Sequence, residues 1–196
     1  MRLLGHFGQV TSPGTYREAD GSAVEFEQAK TAWTAVARPA LHRTAAKYHA
    51  TISYGDLAEE VQSVSGIRTR MLMHYWIGDA LGRVARASYA AGEPLLSSLC
   101  VDARGSVGDG YGVALQETYG PPMPDDLDIH AAEERLKCYQ HFVATLPPGG
   151  GTPALTPKLK ASRDRARQRS TVVQERVVCP TCHIMLPVSG QCDYCD

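Results

Sequence analysis

Four of the six cysteines fall in the last eighteen residues, as Cys179-Pro-Thr-Cys182 and Cys192-Asp-Tyr-Cys195, with nine residues between the pairs. Two CxxC knuckles at this spacing each turn a pair of thiolates toward one point, as a tetrahedral metal ion requires. In a reducing compartment zinc explains the pattern better than disulfides do, although a CxxC pair is also competent for redox chemistry. Between the knuckles, Ile184-Met185-Leu186-Pro187-Val188 followed by Ser189-Gly190 has the pattern of a short strand and turn, so residues 177–196 are expected to form a minimal zinc ribbon. So short a segment buries too little apolar surface to fold unaided, which makes the metal the source of its folding free energy. Four thiolates close the shell against water and substrate. The expected zinc is therefore structural, with Cys179, Cys182, Cys192 and Cys195 as ligands and His183 left outside.

The rest of the chain has the composition of a globular protein, with 43% hydrophobic residues among 196. No run approaches the ~18 apolar residues of a membrane span, and the N-terminus lacks the apolar stretch of a secretory signal, so a cytoplasmic location is expected. The 20 Lys and Arg against 21 Asp and Glu conceal a dipolar distribution. Residues 93–150 carry three basic side chains against nine acidic ones, whereas residues 151–178 carry seven against two. A partner feels these local fields and not the total, so the net charge of -1 does not exclude a nucleic acid.

Helical spacing begins at Phe26, Ala29, Trp33 and Val36, and Pro39 predicts a break with a second helix from about Pro39 to Tyr48. Thr51 to Val61 predicts an extended entry followed by a helix capped near Gly55 or Asp56 and stopped by Gly66. A longer helix is expected from about Arg68 to Ala90, with Met71, Tyr75, Gly78, Leu81 and Ala85 on one face. Two helices about a glycine-containing turn make a candidate helix-turn-helix. Leu95–Val101, the turn Asp102–Gly105 and the glycine-studded 106–113 then predict a β-hairpin, completing the order of a winged helix. Ile129, Ala132, Leu136, Tyr139, Val143 and Leu146 mark a further amphipathic helix over 128–146, opened by Asp126 or Asp128 and closed by Pro147-Pro148-Gly149. PPGGGTPALTP has the composition of a linker, and Lys158 to Arg169 is basic nearly all round, suited to phosphate contacts or to a solvated spacer. The fold class expected is α+β: a mostly helical, winged-helix-like domain over 1–146 with module 51–113 and flanking helices 25–48 and 128–146. A flexible linker over 147–176 and the zinc ribbon follow.

Ser53-Tyr54-Gly55-Asp56-Leu57-Ala58, Tyr75-Trp76-Ile77-Gly78-Asp79-Ala80-Leu81 and Gly105-Ser106-Val107-Gly108-Asp109-Gly110-Tyr111 stand in an order and spacing that resemble the DNA-binding domain of alkylguanine-DNA alkyltransferases and alkyltransferase-like proteins. The resemblance covers 51–111. It implies a DNA-facing shape in which Tyr54 and Tyr75 lie near the duplex, with Arg68 and Arg70 reaching phosphates at the start of the second helix. Two departures decide the chemistry. Ser97 stands where that family has its alkyl-accepting cysteine, and Cys100, three residues on, has no following histidine to activate it. Tyr75 stands at the position of the family's finger arginine, so base flipping by that device is not implied.

The function expected is non-catalytic binding of double-stranded DNA, by Tyr54, Arg68, Arg70 and Tyr75 in the module and by Arg163, Arg165, Arg167 and Arg169 in the basic stretch. Two alternatives stay open. A nuclease or a restriction or modification component would use Asp125, Asp126, Asp128, His130, Glu133 and Glu134 with Lys137, although a helix N-cap and a solvated face also account for these groups. An adaptor would dock a protein partner through the zinc knuckle. Cys138 and His141, three apart, suit either core packing or a nucleophilic pair.

Overall fold

The computed structural model of the chain describes residues 14–142, 144–174, 178–187 and 190–195. It is a mixed α/β protein, mostly helical with two two-stranded sheets, and it divides into a body up to Leu155 and a C-terminal unit from Thr156. The body is built on α1 (Phe26–Ala45). Glu25 caps it, its Oε2 accepting hydrogen bonds from the N–H groups of Glu27 (2.8 Å) and Gln28 (3.1 Å). Ala29, Trp33, Ala37, Leu41 and Ala45 recur at four-residue steps and are wholly buried. Contrary to the break expected at Pro39, the helix runs through it. An interior proline costs ~3 kcal/mol. Residues on both sides of it pack into one core, Trp33 lying against Trp76 with ring centroids 4.3 Å apart. At ~1.5–3 kcal/mol for each large buried side chain, that burial outweighs the proline penalty.

The strand β2 (Ile52–Ser53) leads directly into α2 (Tyr54–Ser65). The cap is Ser53 and not Gly55 or Asp56: its Oγ accepts the N–H of Asp56 at 3.0 Å and donates to that residue's carboxylate at 2.6 Å. Gly66, at φ 64°, ends the helix as expected. The helix expected from Arg68 does not start there. Ile67–Thr69 is β3, antiparallel to β1 (Thr15–Arg17), with Tyr16 opposite Arg68. A single 3-10 turn, Met73–Tyr75, then precedes α3 (Ile77–Ala90). Trp33 Nε1 donates to the Ile67 carbonyl at 2.9 Å, fastening β3 to the core. Met71 and Tyr75, placed by periodicity on the buried face, are exposed, and the face that α3 does bury is Ile77, Ala80, Leu81, Val84, Ala85 and Ser88. Residues 66–76 thus replace the tight turn of a helix-turn-helix, and α2 and α3 each pack on α1.

The hairpin expected over 95–113 does not form. Leu96–Leu99 is a 3-10 turn and only Cys100–Val101 is extended, as β4, pairing in parallel with β2. The turn after it is as expected, Gly105 N–H reaching the Asp102 carbonyl at 2.9 Å. The return arm is replaced by α4 (Asp109–Tyr119). Tyr111, Ala114 and Leu115, at helical spacing, close a second core cluster with Ala85, Leu95 and Val101. Two of the glycines serve close approach in a helix and not the bend of a wing: a Cβ at Gly112 would stand 3.0 Å from Leu127 Cδ1, and one at Gly110 would touch Gly78.

Asp126 caps α5 (Leu127–His141), accepting from the N–H groups of Asp128 and Ile129. The helix ends at His141, short of the expected 146, and Val143 lies outside the described residues. Its buried face is Ala131, Ala132, Glu134, Arg135, Cys138 and Tyr139, while Ile129 is exposed. The stripe read from sequence is rotated because two charged residues occupy the core side. Residues 147–155 are held and not free: Gln140 Nε2 donates to the Gly150 carbonyl (3.0 Å), Thr152 N–H to Tyr48 Oη (3.1 Å) and Arg135 to the Ala154 carbonyl (3.3 Å).

In the C-terminal unit the basic stretch is the helix α6 (Pro157–Gln174), where a flexible, only transiently helical linker is expected. Pro157 occupies the first position, where a missing N–H costs nothing. Lys160 and Asp164 pair at i,i+4 (2.9 Å) on its surface.

Candidate functional site

The body contains a pocket of about 230 Å³ where α2, α3, α4 and the 96–99 turn meet. This is smaller than the ~300–1,000 Å³ that holds a drug-sized ligand, and suits one ring system. Met73, Ile77, Leu81 and Ala114 give it apolar walls, while Gly78, Gly108 and Gly110 expose backbone where side chains would fill it. The stretches 53–58, 75–81 and 105–111 are distant in the chain, yet Tyr54, Gly78, Gly108 and Tyr111 line this one space.

Tyr54 opens α2, and its hydroxyl accepts the Gly108 N–H at 3.0 Å. A Cβ at Gly108 would lie 3.1 Å from that oxygen, so glycine is what permits the approach. Burial pushes the Tyr54 phenol up to about 12, so it stays a neutral hydrogen-bonding wall at ordinary pH. Tyr111 is buried and meets His130 Nδ1 at 2.9 Å. Ser97 lines the same pocket, is almost wholly buried, and its Oγ has no hydrogen-bond partner among the described residues. With no base on that oxygen it lacks the activation a nucleophilic serine requires.

The two cysteines of the body are not nucleophiles. Burial raises the Cys100 thiol far above its ordinary value and pushes Cys138 up to about 12. Cys138 Sγ lies 4.0 Å from Ser98 Oγ, while the ring of His141 meets Phe142. The acidic groups of 125–134 are divided among structural tasks. Asp126 caps α5, Asp128 accepts from Ser106 Oγ and Val107 N–H (both 2.9 Å), and Glu134 is buried against Leu95 N–H. Among the described residues, the four C-terminal cysteines are the group of metal-ligating side chains that converges.

The residues expected to touch DNA have different surroundings. Tyr54 is a pocket wall, whereas Tyr75 stands out into solvent. Arg68 lies on β3, not at a helix start, and its guanidinium grips the Glu59 carboxylate (2.8 and 2.9 Å) and that of Glu18 (3.3 Å). The Arg70 guanidinium sits 5.2 Å from the centre of the Tyr16 ring. In α6, Arg165, Arg167 and Arg169 are exposed and Arg163 is half-buried. Sequence reasoning missed Met73, His74, Ile77 and Leu81 as pocket lining. Their signal was present in the unbroken run from Met71 to Leu81, but a single long helix accounts for that run equally well.

The Sγ atoms of Cys179, Cys182, Cys192 and Cys195 all lie within 4.8 Å of one another, with Cys182 and Cys192 3.4 Å apart. A tetrahedron of ~2.3 Å metal–sulfur bonds has edges of about 3.8 Å, so the four thiols can hold one ion. The first knuckle is closed by the His183 N–H on the Cys179 carbonyl (2.9 Å) and by Cys179 N–H on the Ile184 carbonyl (2.8 Å). His183 adopts a left-handed φ of 57° and stays outside the sulfur group. Backbone N–H groups of Cys182 and Thr181 directed at Cys179 Sγ pull its thiol down to about 6, whereas the hydrogen bond with Cys182 and burial push that of Cys195 up to about 12.

No family model matches the chain, and neither a curated protein nor a solved structure does.

Proposed function

We propose that the protein binds double-stranded DNA without altering it chemically, receiving one base in the pocket of the body. The observation that carries this reading is the convergence of Tyr54, Gly78, Ser97, Gly108 and Tyr111 on a single-ring-sized space. All but Ser97 come from the stretches by which the sequence resembles alkyltransferase-like DNA-binding domains. A serine without a base, in the place of that family's acceptor cysteine, makes the site a receptor and not a reagent. A helix stands where the wing would be, and we assign positioning on phosphates to Arg70 and to the basic stretch of Arg163, Arg165, Arg167 and Arg169, for their charge. Tyr75, exposed beside the pocket-lining Met73 and His74, offers a ring for stacking. Zinc is the ion assigned to the four cysteines, because a closed four-thiolate tetrahedron is its commonest structural setting.

The test is binding to a duplex carrying 2-aminopurine, titrated across a salt series on protein of measured zinc content. Affinity is expected to fall steeply with salt, and the probe to brighten as it leaves the stack. Replacing Arg165 and Arg169 should flatten the salt slope, by roughly one unit for each phosphate no longer neutralised. Gly78→Leu, which places a side chain in the pocket, should abolish the brightening and leave salt-dependent binding. Absence of duplex binding at low salt would overturn the proposal.

A further inference from the structure

The pocket contains a group that the fold itself does not use. Among the described residues, six side chains hold a buried polar atom without a hydrogen-bond partner, and Ser97 is the one of these that lines the pocket. A buried hydroxyl with no partner costs about 1–3 kcal/mol, and such groups survive where something else requires them. The Oγ is itself buried in the structure, and a turn about the single Cα–Cβ bond is what would bring it to an occupant of the pocket that Ser97 lines.

The backbone that carries Ser97 is gripped from both sides by consecutive residues of α5. Glu134, 5% exposed, accepts the Leu95 N–H on one carboxylate oxygen (3.1 Å) and Lys137 Nζ on the other (2.6 Å). Arg135, 3% exposed, donates to the Ser98 carbonyl (3.0 Å) and the Ala154 carbonyl (3.3 Å). Burying two charges on main-chain groups is an expensive way to hold a four-residue turn, since each must be desolvated. Leu96 and Leu99, wholly buried in the same turn, already anchor it to the apolar core. What the charged pair adds is fixed ends on either side of position 97.

We infer that Ser97 is the specificity-determining residue of the pocket, its hydroxyl selecting a ring with a hydrogen-bonding edge over an apolar ring of equal size, and that Glu134 and Arg135 are positioning residues that aim it. The inference rests on the pocket being a base receptor. The hydroxyl donates to a ring nitrogen or carbonyl oxygen, or accepts from an exocyclic amine, and no bond is made or broken.

Three measurements on the full chain test it. First, Ser97→Ala should leave Tm unchanged or raise it, because it deletes an unsatisfied polar atom; a fall in Tm means the hydroxyl serves the fold, and overturns the inference. Second, duplexes carrying 2-aminopurine or a methylindole base of similar shape are compared. Wild type should prefer the polar ring, and Ser97→Ala should shrink that preference about two- to tenfold, the worth of one neutral hydrogen bond. Arg135→Met should shrink it as well, with little further loss when combined with Ser97→Ala. A purely structural role for Arg135 would instead weaken both duplexes alike. If Arg135→Met does not fold, Glu134→Gln, which keeps an acceptor for Leu95 N–H but loses the charge, should give a smaller loss of the same kind. Third, the two rings are offered as free heterocycles while the amide resonances of Gly108 and Gly110 are followed. If no duplex binds, the proposed function fails, but a polar-ring preference lost in Ser97→Ala still upholds the role of the hydroxyl. Equal or absent shifts for the two rings overturn it.

Discussion

The body and the C-terminal unit obey different rules of assembly. In the body, distant residues decide local structure: Ile67–Thr69 is a strand because Thr15–Arg17 lies beside it, the paired threonines 54 positions apart in sequence. In the knuckle, all four ligands lie between positions 179 and 195, and its backbone closes on itself through Cys179, His183 and Ile184. One region is held by cooperative burial, and the other brings four thiols to one point where they could hold an ion. On the proposed reading, packing and metal are separable sources of stability, and each can be removed while the other is observed.

Removal of the metal is expected to have the largest effect. If the four cysteines hold the proposed ion, a chelator, or Cys192→Ser, should eliminate it together with the folded signals of 178–187 and 190–195, a structural zinc site being worth ~10–16 kcal/mol in small domains. The body's thermal transition should not move. A body that unfolds with the knuckle would show that the two regions share their stability.

The converse change is Trp33→Ala. It empties the centre of the first core cluster and leaves the Ile67 carbonyl without its indole N–H. The body should lose ~3–5 kcal/mol in denaturant unfolding, with any metal content of the cysteine cluster unchanged. A loss below about 1 kcal/mol would mean that the core is not organised around Trp33 and Trp76.

Acidification should have the smallest effect. Hydrogen bonds from Lys30 and Arg83 hold the Glu27 carboxyl below its ordinary value. Burial raises that of Glu93, but the Arg38 hydrogen bond and charge outweigh it and leave it lowered. Burial likewise opposes, and Lys30 and Arg83 overcome, the shift at Asp79. A carboxylate whose folded pKa lies below its unfolded one stabilises fully above the unfolded value and loses that contribution as pH falls through the folded one. Body Tm should therefore decline as pH drops below about 4, and more at low salt than at high, because the pairs that include exposed groups are screened by salt. A Tm flat down to about pH 3 would show these pairs to be energetically silent.

Legibility differs in the same way. Caps, stops and knuckles are short-range chemistry, so Gly66, the turn at Asp102–Gly105, the Asp126 cap and the cysteine cluster are where periodicity and spacing put them. The glycine-rich 106–113 misleads because glycine permits both a bend and close helix packing, and only the neighbours Leu127 and Gly78 decide between them. Pro39 misleads for a similar reason, its local penalty being smaller than the burial on either side. At the site, Tyr54, Gly78 and Tyr111 are visible in the resemblance, whereas Glu134 and Arg135 are not. A charged pair in an amphipathic pattern is normally assigned to solvent, and nothing in sequence records that Leu95 N–H and the Ser98 carbonyl await it.

By itself the order of residues determined the cysteine cluster near the C-terminal end, the stop at Gly66 and the cap at Asp126, since each depends on groups a few positions apart. Tertiary structure alone decided that residues 67–69 pair as a strand, that 109–119 coil into a helix, and that a serine with a buried, unpartnered hydroxyl lines a small pocket. Those outcomes compare alternatives of similar local energy, and the balance between them is set by apolar area and hydrogen bonds supplied from elsewhere in the chain.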